Sequence, residues 1–79
     1  MVTVRYWAGA RAAAGRSEER LPVGTVGELL RRINADPGLS RVVPACSLLV
    51  DGVGVRREDG DRLLPAGAVV DVLPPFAGG

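Results

Sequence analysis

A chain of 79 residues holds one domain, near the lower size limit for a self-sufficient core. The net charge of +1 argues against a general nucleic-acid footprint, which needs a clustered basic excess. Every basic residue is arginine, histidine is absent and there is one cysteine, which argues against a self-contained hydrolase or a metal site of the zinc type. Without lysine, the α-amino group is the one amine that the chain carries. Cys46 has no partner for an internal disulfide, which fits a reducing compartment. Met1 leads straight into a strand pattern, with no apolar signal region and no membrane-length run, so a cytoplasmic protein without a membrane partner is expected.

Val2 to Ala8 alternates and is rich in β-formers, which predicts the first strand. Val2, Val4 and Tyr6 share the face suited to burial; Thr3, Arg5 and Trp7 share the other. On that face Trp7 is either a packed edge residue or an interface anchor. Gly9 to Gly15 reads as an alanine-rich turn with room for a short helical piece, forming the hairpin connection to a second strand over Ser17–Val23. Arg11 and Arg16 flank that turn and read as solvated charge.

Thr25-Val26-Gly27-Glu28 is a capping box, in which the hydroxyl and the carboxylate satisfy the first unpaired N–H groups of a helix. Val26, Leu29, Leu30 and Ile33 follow at helical spacing, leaving Arg31, Arg32 and Asn34 on the wet side. Pro37-Gly38 ends this helix near Ala35. Leu39 to Ala45 reads as a connector whose Val42 and Val43 cover one end of the core. Cys46 to Val50 is a third strand with Cys46, Leu48 and Val50 inward, so the cysteine is a small buried hydrophobe. Asp51-Gly52 supplies a turn into a short fourth strand over Val53–Val55. Arg56 to Asp61 is polar and turn-forming, with only a faint likeness to a metal loop. Ala68 to Leu73 is the last strand, with Val70 and Val72 inward and Val69, Asp71 and Leu73 outward. The expected core joins Val4, Tyr6, Leu29, Leu30, Ile33, Leu48, Val50, Val70 and Val72. One amphipathic helix between two hairpin-like units must bury its stripe against one face of a mixed sheet of four to five strands, an α+β arrangement.

The chain then ends on Leu73-Pro74-Pro75-Phe76-Ala77-Gly78-Gly79. Prolines lack the N–H that a sheet ladder requires, so this segment is expected to leave the body as an extended arm. The domain is thus expected to comprise residues 1–73, with a flexible tail over 74–79. At ~3.3 Å per residue the tail reaches ~20 Å beyond Leu73. Two terminal glycines present bare backbone to a narrow channel, with the Gly79 carboxylate at the tip.

The ending LPPFAGG, the PAGAVVDV before it, the opening VRYWAGARAAAG and the central TVGELL together resemble the ubiquitin-like sulfur carriers, in particular the small subunit of molybdopterin synthase. Ala68 departs from that pattern, since an acidic residue is common after the turn glycine. The resemblance implies a β-grasp (ubiquitin-like) fold. It also implies that Gly79 is adenylated by an E1-like enzyme with ATP and converted to a thiocarboxylate (1-thioglycine), with Gly78 threading the channel. No cofactor would be bound, and the acids, bases and metals would belong to the partner enzymes: the activating enzyme and a synthase large subunit or other sulfur acceptor. Trp7, Val69, Leu73, Pro74, Pro75, Phe76 and Ala77 are the candidate partner surface. Two alternatives stand beside this reading: a carrier for another pathway (thiamine, cysteine or another thio-containing metabolite), and a ubiquitin-like modifier joined to lysines of other proteins.

Overall fold

The computed structural model describes residues 1–75. Five strands, β1 (Val2–Tyr6), β2 (Glu18–Leu21), β3 (Ser47–Val50), β4 (Val53–Val55) and β5 (Val69–Leu73), form one mixed sheet in the order β2-β1-β5-β3-β4. β5 lies at its centre, parallel to β1 and antiparallel to β3, with Tyr6 opposite Val72 and Ser47 opposite Leu73. This is a β-grasp fold. The inward residues of the strands, Val2, Val4, Tyr6, Leu21, Leu48, Val50, Val70 and Val72, are all buried, as alternation predicts.

Three helices, rather than one, cover the inner face: α1 (Ala8–Ala14), α2 (Val26–Asn34) and α3 (Pro37–Val42). α2 matches its sequence signature. Glu28 N–H donates to Thr25 Oγ1 at 3.1 Å, while the Glu28 carboxylate accepts from Gly24 N–H at 3.1 Å. Val26, Leu29 and Ile33 are buried, but Leu30 is only half-buried at the core's margin, which corrects its assignment to the interior.

The alanine-rich stretch does carry a short helix, α1, which fills nearly all of the connection between β1 and β2. Alanine has the highest helix propensity, and Gly15 closes the helix at φ 74° with its N–H donating to Arg11 O at 3.0 Å. Ala10 and Ala14, one turn apart, pack into the core. The second strand is shorter than the run Ser17–Val23, ending before Pro22.

Pro37-Gly38 also does more than stop α2. Asp36 caps α3, accepting from Gly38 N–H at 2.9 Å and Leu39 N–H at 3.3 Å, and proline fits the first turn because its N–H is not needed there. A short 3₁₀ turn (Val43–Ala45) follows, with Leu39 and Val43 buried. α3 lies so close to α1 that a Cβ on Gly38 would stand 2.4 Å from the Ala13 carbonyl oxygen. Gly38→Ala therefore forces two helices apart and is expected to cost ~1–3 kcal/mol in chemical denaturation.

Asp51 and Gly52, at φ 48° and 84°, make the tight turn between β3 and β4, the pattern of a type I′ hairpin. Cys46 is buried, with its Sγ–H donating to Val42 O at 3.2 Å. Burial pushes the thiol pKa up, with the Arg57 guanidinium opposing it, so the thiolate is disfavoured. No group of three potential metal-ligating side chains gathers among the described residues, and no described helix is long and apolar enough to cross a membrane.

Candidate functional site: the outer sheet face and the base of the tail

The face of the sheet turned away from the helices carries Thr3 and Arg5 on β1, Val69, Asp71 and Leu73 on β5, and Leu49 on β3. Trp7 follows β1 directly, and its backbone N–H donates to Val72 O at 3.2 Å, so the indole lies beside the end of β5. β5 stops at Leu73, and neither Pro74 nor Pro75 belongs to a strand, in keeping with their missing donors. Leu73 and Pro74 are half-buried and Pro75 is exposed.

The structure thus brings Trp7, Leu73 and the base of the tail together. Val69 shares their face but lies at the other end of β5, opposite Thr3 and ~13 Å from Leu73 at strand spacing. Phe76, Ala77, Gly78 and Gly79 lie outside the described residues, so their expected roles rest on the sequence.

Trp7 combines the two readings open to it. It is 45% exposed, yet its indole is anchored by Nε1–H donating to Asp71 Oδ1 at 2.8 Å. Arg5 grips the same carboxylate with both prongs, Nε to Oδ1 at 2.8 Å and Nη2 to Oδ2 at 3.2 Å, and its guanidinium carbon lies 5.6 Å from the indole centroid. The Arg5 hydrogen bonds hold the Asp71 carboxyl below its ordinary range; burial opposes this, and the Trp7 hydrogen bond adds to it.

From β1 the charge facing Asp71 is Arg5, which also feels Glu18 of β2; from β3 the facing side chain is the apolar Leu49. A carboxylate with a lowered folded-state pKa contributes stability at any pH above its unfolded value of ~3.9 and loses it as pH falls through the folded pKa. Melting temperature is therefore expected to fall steeply below about pH 4 in the parent, and less steeply in Asp71→Val. Equal slopes between about pH 5 and pH 2 would remove Asp71 from the acid response.

A sequence profile of the ThiS family matches residues 4–79, nearly the whole chain. The chain belongs to the ThiS family. Among solved structures, this ThiS-family protein is similar to small archaeal modifier protein 1 (SAMP1) from Haloferax volcanii, with a TM-score of 0.81 and 27% identity over 99% of this chain and 98% of that one. It is also similar to a Pyrococcus furiosus protein provisionally named molybdopterin converting factor subunit 1, with a TM-score of 0.78 and 31% identity over 95% and 97% of the two chains. The complex of subunits 1 and 2 of molybdopterin-converting factor from Helicobacter pylori matches with a TM-score of 0.81 over 99% and 97%, and at 20% identity that likeness is one of fold. No match is found among curated protein sequences.

The ThiS-family protein is thus one of the ubiquitin-like sulfur carriers and modifiers. Three residues of its outer face are missing from the sequence-level site: Arg5, Asp71 and Leu49. Alternation places all of them in the outward phase, but their contacts across strands do not show in a linear pattern. Arg5 and Asp71 are 66 positions apart.

Proposed function

We propose that this protein is a sulfur carrier, acting as the small subunit of a molybdopterin synthase. The observation that carries the proposal is that the family match runs to residue 79 and so includes the Gly78-Gly79 end, on a body whose central strand stops immediately before Pro74. A carboxylate is a poor acyl donor because its leaving group is oxide. An E1-like enzyme with ATP joins the Gly79 carboxylate to AMP and releases pyrophosphate. Sulfide then displaces AMP and leaves the thiocarboxylate; a persulfide donor requires one further reductive cleavage. The carrier itself supplies no acid, base or metal, since positioned groups on the partners do that work.

In this reading the outer face docks while the tail inserts. Trp7, Leu73, Pro74 and Pro75 frame the tail's exit, Val69 extends the surface along β5, and Phe76 and Ala77 follow them in sequence as further candidate contacts. The partners are the activating enzyme and then the synthase large subunit or another sulfur acceptor. The likeness to the Pyrococcus furiosus protein supports the molybdopterin assignment over a thiamine, cysteine or other thio-metabolite pathway. The likeness to SAMP1 favours a second reading, attachment of Gly79 to lysines of other proteins. In that case the protein attaches singly or head to tail through its α-amino group, because it offers no lysine of its own.

Intact-mass analysis after incubation with the activating enzyme of the same organism, ATP and a sulfur donor decides between them. The expected product gains the mass of one oxygen replaced by sulfur, located on the C-terminal peptide. Conjugates to lysines of other proteins, with no thiocarboxylate, would establish the modifier in its place.

A further inference from the structure

Asp71 occupies the middle of β5, the strand flanked on both sides by others, where the neighbouring positions on the same face are Val69 and Leu73. A carboxylate there is costly to desolvate, and Asp71 is only 8% exposed. The Arg5 side chain that pairs with it stays 46% exposed, and a pair open to solvent on one side contributes little to stability, so holding the sheet together does not by itself account for an acid at this position. Its contacts point elsewhere. One oxygen, Oδ1, receives both the Arg5 Nε–H and the Trp7 indole N–H, each at 2.8 Å. The indole has a single polar atom, and the carboxylate holds it while the Arg5 guanidinium lies against the ring. What these contacts fix is the orientation of an exposed aromatic side chain beside the strand end that leads into the tail.

We propose that Asp71 is a positioning residue for docking: through the indole N–H and the Arg5 guanidinium it sets the Trp7 ring, before any partner arrives, in the plane that the activating enzyme meets. This rests on the carrier reading above. A rotamer fixed in the free protein need not be ordered on binding, which favours association without touching the chemistry at Gly79. Asp71 therefore acts on how well the carrier is held and not on how fast the held tail reacts.

The test is carrier-dependent ATP–pyrophosphate exchange by the activating enzyme of the same organism, using the parent, Asp71→Val, Asp71→Asn, Trp7→Phe and the double variant Trp7→Phe/Asp71→Val. Valine keeps the strand propensity and removes the acceptor. Asp71→Val is expected to raise KM for the carrier ~10-fold with kcat within about twofold, and to add less than about twofold to KM when Trp7 is already Phe. In the free protein, the emission anisotropy of Trp7, the one tryptophan, should fall in Asp71→Val and its quenching by acrylamide should rise. Asp71→Asn, which still accepts from the indole, should restore the anisotropy and most of the KM.

A merely structural Asp71 would change melting temperature and leave this pattern absent. An unchanged KM, an equal rise in the Trp7→Phe background or an unchanged anisotropy overturns the inference. If Asp71→Val fails to fold, Arg5→Met/Asp71→Val leaves no charge unpaired and carries the same comparison. A parent protein that is never adenylated removes the carrier reading and this inference together, whereas a parent that is adenylated with a KM indifferent to Asp71 removes only the inference.

Discussion

Gly78→Val slows adenylation of the C-terminus by ~10²-fold or more and leaves the melting temperature where it was. In the carrier reading proposed above, the carboxylate of Gly79 has to pass through a narrow channel and bring its oxygen into line with the α-phosphorus of ATP. A β-branched side chain one residue from the tip widens the tail and restricts its backbone where neither is tolerated. The body is expected to be indifferent to the change, because among the described residues the buried core ends at Val72 and β5 ends at Leu73. Adding one residue after Gly79 should block the reaction in the same way: the new carboxylate stands ~3.3 Å beyond the reacting position, more than a near-attack geometry allows. Pyrophosphate exchange reads the first step alone, and differential scanning calorimetry reads the body. Exchange at the parental rate by either variant would place the reacting group elsewhere than at Gly79.

The point at which the strand gives way to the tail is readable from the sequence, because it depends on local chemistry. Two prolines that cannot join a ladder and two glycines without Cβ need no tertiary context, and β5 does stop at Leu73. The same is true of α2: the bonds from Glu28 N–H to the Thr25 hydroxyl and from Gly24 N–H to the Glu28 carboxylate span only a few residues, and both form. The helices α1 and α3 are harder to see for opposite reasons. α1 presents alanine alone to the core, so it has no stripe of large apolar residues to betray its period, although five alanines within seven positions favour a helix on propensity. α3 starts on the Pro37-Gly38 pair that ends α2, and the signals for stopping one helix and starting the next coincide. Asp36, the residue before the proline, is the distinguishing sign, since its side chain caps α3.

The Asp71 cluster is out of reach in a different sense. Outward phase on a strand ordinarily means facing solvent, yet the flanking strands and two long side chains bury the acid on the outer face. Only the pairing of β1 with β5, separated by nearly the whole chain, brings Arg5 opposite Asp71. The same pairing runs β1 and β5 in parallel, so the N-terminus lies at the end of the sheet opposite the tail's exit, beside Gly67, whose N–H donates to Met1 O at 2.9 Å. Met1 is thus held at the far end of β5 from the base of the tail.

Leu29→Ala should cost ~2–5 kcal/mol, whereas Leu30→Ala should cost about half as much or less. Both residues fit the helical spacing of the apolar stripe, and the two are adjacent, so only the direction each faces separates them. At ~100° per residue, Val26, Leu29 and Ile33 cluster around one direction and Leu30 stands ~70° to its side. The burial agrees, with Leu29 at 0% exposure and Leu30 half-buried against the core's edge. Truncating Leu29 opens a cavity enclosed by the sheet and the neighbouring helices; truncating Leu30 leaves a notch that solvent and nearby side chains can fill. For a domain of this size the Leu29 loss corresponds to a melting temperature lower by ~10–30 °C. Below its own transition, Leu29→Ala should still be adenylated at the parental kcat, because in the carrier reading the body supplies no reacting group. Equal melting of the two variants would mean that α2 is rotated on the sheet, and a lowered kcat in the folded Leu29 variant would mean that the body does more than carry its end.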